Sequence, residues 1–517
     1  MKTIRYTGLI IFLFSLGLFF SLFLLSDYQM TGDVFQSVVR EEHQAELQPR
    51  IDFMFGKTYD SNFSFISDFR NAFETYNAEK RANQEWDKVI YENYTASMTK
   101  ASTIGIIRNH TSLLFILVFI VGTIGAMMFI IPQVKLQGPP GIKNNGIFQN
   151  ALNNRGWIGI TIGTILIAFY ILLYFYDEYL TNWILLVEPL KKLLVPGSQS
   201  SQWFLYGFLY TFGVLVMGVR MLIKYRHSKY QIFRTISVMF FQLAFAFLIP
   251  EILVRLNQPY FDFKNMWPLD YDFFDAWHIK TLTQAGGLGL FMFVWGISLF
   301  AIGVPVFTFF FGKRWYCSWV CGCGGLAETA GDPFRQLSDK SLKAWQIERW
   351  LVHGVLVFAV VMTVGVLYSF ITGADTIFGL STYNYLRKPY GFMIGAIFSG
   401  VVGTGFYPFM GNRVWCRFGC PLAAYLGLVQ RFKSKFRITT NGGQCISCGN
   451  CSTYCEMGID VRWYAQRGQN IIRSSCVGCG VCSSVCPRGV LNLENRDEEG
   501  RFGQPILIGQ NNVEVKS

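Results

Sequence analysis

Eight blocks of this chain are apolar enough to cross a bilayer, roughly residues 7–25, 111–131, 157–176, 203–223, 235–254, 286–311, 350–371 and 392–410. A spanning helix needs about 20 predominantly apolar residues, and these blocks meet that length. The segment between the first two blocks, 27–110, reads differently. Phe65, Phe69 and Phe73 recur every four residues with Ile66 and Tyr76 beside them, the stripe of an amphipathic helix. Trp86, Val89, Ile90 and Tyr94 predict a second helix, and Pro49 with the Gly56 region separates an earlier one. A small helical module or long hairpin is expected here, acting as a spacer or as a docking site. Segment 183–194 (Trp183-Ile184-Leu185-Leu186-Val187, then Pro189) is too short to span and is expected on the outer interface. Gln137-Gly138-Pro139-Pro140-Gly141 predicts a rigid turn. The first block follows Lys2 and Arg5 and runs into Leu24-Leu25-Ser26-Asp27-Tyr28 with no small-residue cleavage site, so an uncleaved anchor is expected.

Composition supports a membrane class: 51% of residues are hydrophobic, with 49 Phe, 25 Tyr and 13 Trp, and only 15% are charged. The net charge of +12 sorts by loop, which argues for topology and against nucleic-acid binding. With the N-terminus inside, loop 132–156 carries Lys135, Lys143 and Arg155 with no acid, and loop 224–234 carries Lys224, Arg226, Lys229 and Arg234 with no acid. Outer segment 255–285 carries Asp262, Asp270, Asp272 and Asp275. Both termini are therefore expected in the cytoplasm, with the chain in the inner (cytoplasmic) membrane of a bacterium. The thirteen cysteines all stand at or beyond Cys317, which places them in a reducing compartment and excludes a disulfide framework.

The expected architecture is mainly α: a polytopic helical membrane protein of about eight transmembrane helices with a C-terminal two-cluster ferredoxin-like α+β domain. Its expected parts are an anchor (1–26), an external periplasmic helical insertion (27–110) and a transmembrane domain (111–410) with a cytoplasmic C-x3-C loop at 312–349. A C-x3-C-P segment and linker (411–440), the ferredoxin domain (441–495) and a tail (496–517) follow.

The ferredoxin expectation rests on Cys445-x2-Cys448-x2-Cys451-x3-Cys455, repeated as Cys476-x2-Cys479-x2-Cys482-x3-Cys486-Pro487. In a two-cluster ferredoxin the first three cysteines of a run grip one [4Fe–4S] cube and the fourth crosses to the other. Cys445, Cys448, Cys451 and Cys486 are expected on one cluster, and Cys476, Cys479, Cys482 and Cys455 on the second. Zinc ribbons separate their pairs by longer loops, so zinc is disfavoured. Glu456 stands where the first run would often carry Pro, which removes a backbone constraint and not a ligand.

A second repeat lies upstream. Lys313-Arg314-Trp315-Tyr316-Cys317-x3-Cys321-Gly322 follows the sixth block, and Asn412-Arg413-Val414-Trp415-Cys416-x3-Cys420-Pro421 follows the eighth. On a helix this spacing puts both sulfurs on one face, so Cys317, Cys321, Cys416 and Cys420 are expected together at the cytoplasmic mouth of the helices. They suit a further metal or cluster, a redox-active thiol group or a copper(I) site; packing as small hydrophobes is the alternative. Cys323 is an extra thiol, a spare ligand or local packing. Five histidines offer no facing pair for a haem; His353 reads as a satisfied interfacial residue or a quinone contact. Glu251 is a candidate proton-handling group, and Arg220 is expected to snorkel. Arg431, Lys433, Lys435 and Arg437 are expected against anionic lipid. No dinucleotide or phosphate-binding glycine motif is present.

Arg413-Val414-Trp415-Cys416 through Cys420-Pro421 after a span, followed by the ferredoxin runs, resembles the NapH/NosR/CcoG group of membrane polyferredoxins over about residues 157–495. The resemblance implies electron transfer between the quinol pool and periplasmic reductases, or support for assembly of copper-containing terminal enzymes. By that similarity Cys317, Cys321, Cys416 and Cys420 correspond to the family's paired motif. Gly322 departs from the usual Pro, a flavin domain is not recognisable, and 27–110 falls outside the pattern. The expected role is an electron-transfer subunit of an oxidoreductase system, working with partner subunits or the quinone pool and with no catalytic residue assigned. A copper-handling or copper-reducing maturation factor is the alternative, and a redox sensor, which would need an output domain, the third.

Overall fold

A computed structural model describes residues 2–142, 151–374 and 376–495. Lys143, expected among the loop cations, and the tail 496–517 lie outside the described residues. Among the described residues seven helices are long and apolar enough to cross a membrane: Lys2–Ser21, Thr111–Leu136, Trp157–Phe175, Gln202–Lys224, Lys229–Arg255, Gly286–Phe311 and Leu342–Thr372. The eighth apolar block behaves differently. A helical run from Tyr383 ends in twelve residues of π winding, Gly391–Val402, and a turn separates it from Tyr407–Met410. Glycines leave room there: a Cβ on Gly395 would stand 2.6 Å from the Tyr271 hydroxyl.

The chain divides into two compact units. The first holds residues up to 133 with 171–209. Its insertion is built on a three-stranded antiparallel sheet with Asp27–Gln29 in the centre, Thr58–Tyr59 on one side and Thr103–Ile104 on the other. The phenylalanine stripe forms the helix Asn62–Ala82, capped by Ser61, which buries Phe65, Ile66 and Phe69. The second helix expected there is absent: only Trp86–Lys88 makes a turn of 3-10 helix. The reason is local. Asn77 Oδ1 accepts from the Ile90 N–H (3.0 Å) and its Nδ2 donates to the Ile90 carbonyl (2.9 Å), while the Tyr76 hydroxyl donates to the Lys88 carbonyl. Backbone groups that a helix would pair internally are taken by side chains of the neighbouring helix.

Segment 183–194 forms Thr181–Leu186 and Glu188–Leu194; Trp183 to Val187 are buried within this unit and Leu193 is 73% exposed. The segment completes the end of the first helix. Asn182 Nδ2 donates to the Leu22 carbonyl (3.0 Å) and Trp183 Nε1 to the Phe19 carbonyl (2.8 Å), satisfying acceptors that a helix C-terminus leaves open.

The second unit holds 134–170 and everything from 210 onward. Segment 255–285, expected as an outer loop, folds inward: Met266 packs in one core with Cys317, Cys321, Cys416 and Cys420. At the C-terminal end Phe436–Thr440 pairs antiparallel with Leu491–Asn495, in register from Phe436↔Asn495 to Thr440↔Leu491. Between these strands the two cysteine runs each turn through a left-handed glycine, Gly449 (φ 79°) and Gly480 (φ 71°), into the short helices Asn450–Thr453 and Val481–Ser484. This is the α+β module that the spacing predicts.

Candidate metal centres

The ferredoxin runs converge as two sets. Cys445, Cys448, Cys451 and Cys486 line one small cavity with Ile446 and Pro487. Burial pushes the Cys451 thiol up to about 12, and Cys486, Cys448 and Cys445 add to the shift. In the second set burial pushes Cys482 well up, with Cys479, Cys455 and Cys476 beside it, and pushes Cys476 up to about 11. Each run therefore sends its fourth cysteine across to the other. All thirteen thiols are free. Clustered buried thiols that stay protonated alone, and form no disulfide, suit iron, which displaces the protons and supplies the missing positive charge. The sets differ chiefly at one position: the first holds the exposed Cys448 beside half-buried Cys445 and Cys486 and buried Cys451, whereas the second joins half-buried Cys455 and Cys479 to buried Cys476 and Cys482.

The run Cys476 to Cys479 is held against the helical part by its own carbonyls. Gln430 Nε2 donates to the Cys476 carbonyl (2.8 Å), Ser318 Oγ to Val477 (2.8 Å), the Tyr230 hydroxyl to Gly478 (2.8 Å) and Gln231 Nε2 to Cys479 (2.8 Å). Gln430 also accepts from the Lys313 N–H (2.7 Å), so one side chain ties the first C-x3-C segment to the ferredoxin module.

The upstream repeat is a structural repeat as well. Gly312 (φ 65°) and Gly411 (φ 93°) close the preceding helices, and their N–H groups donate to Thr308 and Tyr407. The Cys321 N–H donates to the Tyr316 carbonyl (2.8 Å) and the Cys420 N–H to the Trp415 carbonyl (2.9 Å). The paired cysteines do not share a helix face as expected. Cys317 ends the short helix Arg314–Cys317 and Cys416 lies in the π turn Trp415–Gly419. Cys321 and Cys420 then take extended backbone and cap new helices, Gly322–Glu328 and Pro421–Lys433. The residue before a proline is pushed out of the helical region, which accounts for Cys420.

The four sulfurs still come together. Burial pushes Cys317 up to about 12, with Cys321 and Cys416 nearby, and pushes Cys420 well up, with Cys416, Cys321 and Cys317 nearby. Cys321 moves the other way, to about 6, because the Cys323 thiol hydrogen-bonds to it, helped by the Gly324 N–H, Lys264 and Arg413. Cys323 thus joins the set. The set does not sit at a helix mouth. A Cβ on Gly322 would stand 2.8 Å from Gln242 Oε1 and 3.8 Å from Tyr210, residues inside Lys229–Arg255 and Gln202–Lys224, so the segment is threaded between helices.

Residues 292–341 and 390–439, which carry both C-x3-C pairs, match the family described as "4Fe-4S binding domain", and residues 437–487 match the family described as "4Fe-4S dicluster domain". The chain is an iron–sulfur membrane protein. It is similar to YccM of Escherichia coli (strain K12), named as an electron transport protein, at 28% identity over 157 residues, 29% of this chain and 43% of that protein. It is also similar to the methylamine utilization ferredoxin-type protein MauN of Paracoccus denitrificans (strain Pd 1222), at 26% identity over 165 residues, 30% of this chain and 52% of that one. The chain thus spans about half the length of these relatives. No solved structure matches.

Sequence reasoning missed a set of buried charges beside this iron–sulfur site. Glu328 Oε1 meets Arg413 Nη2 (2.7 Å) and Arg234 Nη1 (2.5 Å), and its Oε2 meets Arg335 Nη2 (2.8 Å). Glu456 Oε2 meets Arg335 Nη1 (2.8 Å) and its Oε1 meets Arg413 Nε (3.1 Å). Burial opposes ionisation of Glu328, but Arg234, Arg335 and Arg413 hold its carboxyl well below the usual range. Donor atoms of Glu328, Glu456 and Cys479 lie within 4.8 Å of one another, yet arginines occupy both carboxylates, so an ion network fits better there than a metal. Arg220 does not snorkel: it and Lys224 pair with the buried Asp332 (2.8 and 2.6 Å). Arg437 is buried in the module rather than lipid-facing. Glu251 is buried in its helix. His353 lines a cavity of about 40 Å³ with Cys416 and Lys313; its Nδ1 has no hydrogen-bond partner among the described residues, so it is not the satisfied histidine expected.

Proposed function

We propose that this protein relays single electrons between a soluble partner and a redox centre among its membrane helices, in the manner of NapH/NosR/CcoG-type polyferredoxins. Cys445, Cys448, Cys451 and Cys486 would hold one [4Fe–4S] cluster, Cys476, Cys479, Cys482 and Cys455 the next, and Cys317, Cys321, Cys416 and Cys420 a third centre. Bound clusters supply one-electron oxidation and reduction. The chain's own residues supply position. Exposed Cys448 brings the first set to the surface, where a partner can approach. Gln430, Ser318, Tyr230 and Gln231 clamp the second set to the helices. Gly322 and Pro421 start the helices that seal the third set from water. The observation that carries this reading is the convergence of both C-x3-C pairs into the core that also holds the second ferredoxin run. The basic loops support a ferredoxin module on the cytoplasmic face, with quinone or a periplasmic protein as the far partner.

Copper handling is the second reading, favoured by one observation: Cys321 and Cys323 form a close pair of soft donors. Anaerobic purification separates the two. The relay predicts iron and acid-labile sulfide in proportion to three cubes. It also predicts that the double variant Cys317→Ser, Cys416→Ser keeps the ferredoxin signals after dithionite while electron transfer to a quinone analogue in proteoliposomes falls at least tenfold. Parental transfer in that variant would sink the relay, and copper(I) held by these thiols in place of iron would put the second reading in its place.

A further inference from the structure

We propose that one buried ring of charges, Arg335, Glu456, Arg413 and Glu328, sets the electron affinity of two of these centres together. The centres are the one at Cys476, Cys479, Cys482 and Cys455 and the one at Cys317, Cys321, Cys416 and Cys420. This inference rests on the relay reading.

The ring is closed. Glu328 gives one oxygen to Arg413 (2.7 Å) and the other to Arg335 (2.8 Å); Glu456 does the same, at 3.1 Å and 2.8 Å. Each arginine also has a sulfur within reach, and Cys479 lies beside the carboxylates as well, within 4.8 Å of a donor oxygen of Glu328 and of Glu456. Arg335 Nη1 lies 4.0 Å from Cys479 Sγ, and Arg413 Nη1 lies 3.6 Å from Cys416 Sγ and 3.2 Å from the Cys317 carbonyl. One end of the ring touches the ferredoxin module and the other touches the thiols among the helices. The side chains of Arg335, Arg413 and Glu456 are 0% exposed and that of Glu328 3%, so water screens little of the interaction.

A purely structural role explains this placement poorly. Burying several charges carries a desolvation cost that well-packed apolar residues would avoid. The position of Glu456 is informative. The two ferredoxin runs share the same cysteine spacing, and where the second closes with Pro487 the first closes with Glu456. Pro has no charge and no N–H; Glu456 reaches both arginines. Potentials of iron–sulfur centres follow net charge and hydrogen bonds to the ligating sulfurs. Positive charge near a sulfur favours the reduced state. A carboxylate that restrains both arginines therefore lowers both midpoints at once, and matched midpoints let an electron pass in small steps.

The test is a redox titration of the anaerobically purified full chain, followed by low-temperature paramagnetic resonance, with signals assigned by the Cys317→Ser, Cys416→Ser variant. Glu328→Gln keeps shape and removes a fixed negative charge. The expected result is an upward shift of both midpoints, each by a tenfold change in the one-electron equilibrium or about 59 mV. The centre at Cys445, Cys448, Cys451 and Cys486 should stay in place. Arg335→Lys, which keeps the charge but cannot reach Cys479 and both carboxylates together, should lower both. Three intact centres with neither midpoint moved, or only one, would overturn the coupling. If Glu328→Gln loses iron, Arg335→Lys decides by the same criterion. A parental protein without iron at the third set would instead sink the relay, and the coupling with it.

Discussion

At the scale of single residues, the informative difference is between Gly322 and Pro421, which occupy equivalent positions after the two C-x3-C pairs. Both open a helix and both leave the preceding cysteine extended, at ψ 127° for Cys321 and 111° for Cys420. Proline enforces that conformation and suits the first helical turn. In the first repeat a side chain would have to displace Gln242, whose Oε1 sits 2.8 Å from where Cβ would be and whose Nε2 is committed to Thr211 Oγ1 (3.0 Å). Gly322→Pro should therefore destabilise the protein by about 1–3 kcal/mol through overpacking. Adding Gln242→Ala should recover part of that loss. The measurement is thermal unfolding in detergent, and a single variant melting with the parent would show that the contact does not fix the glycine. The cysteines were legible because ligand spacing is a local property of the sequence. The charges around them were not: Glu328, Arg335, Arg413 and Glu456 are brought together only by folding, and in the sequence Arg413 reads as part of the C-x3-C motif while Glu328 and Arg335 read as loop residues. The one available signal was Glu456 facing Pro487 in the internal repeat.

At the scale of elements, the apolar blocks were legible because length and hydropathy decide a spanning helix. Depth was not, since a cysteine after an apolar block reads as a helix end whether the chain leaves the bundle or threads back into it. The 86–94 segment fails for a different reason. Val89, Ile90 and Tyr94 are buried but Trp86 is 59% exposed, and the chain leaves the helical region at Val89 because Asn77 pairs both backbone groups of Ile90. A side chain thirteen residues away replaces the helical ladder, and no local pattern encodes that. Asn77→Ala would leave a buried donor and a buried acceptor unpaired, at a cost of roughly 2–4 kcal/mol. Limited proteolysis should then cut within 86–94 while the Asn62–Ala82 helix survives; resistance equal to the parent would mean that the pairing is dispensable.

At the scale of the whole molecule, the three thiol sets differ in access to water, and that orders their chemistry. Cys448 is exposed, Cys445 and Cys486 are half-buried and Cys451 alone of the first set is buried, whereas the upstream four are all buried in a core that also holds Cys451, Cys476 and Cys482. The second run has its carbonyls tied to Gln430, Ser318, Tyr230 and Gln231, so local opening there must break several hydrogen bonds at once. Among the described residues no comparable set of side chains holds the carbonyls of Cys445 to Cys448; Gln466 Nε2 donates to Ser447 Oγ (2.6 Å), Ile446 is 56% exposed and Ser447 takes a left-handed backbone (φ 57°). Iron should therefore leave the sets in a fixed order. On adding a ferrous chelator to the oxidised protein, the signal assigned to Cys445, Cys448, Cys451 and Cys486 should decay first, while those of the other two sets persist. The same set should be the first to react with a soluble donor or acceptor, because distance to the partner and distance to the chelator are limited by the same exposed sulfur. If the buried sets lose iron first, or all decay together, the surface end of the relay has been placed at the wrong cysteines. Partner contact would then have to run through the helical part.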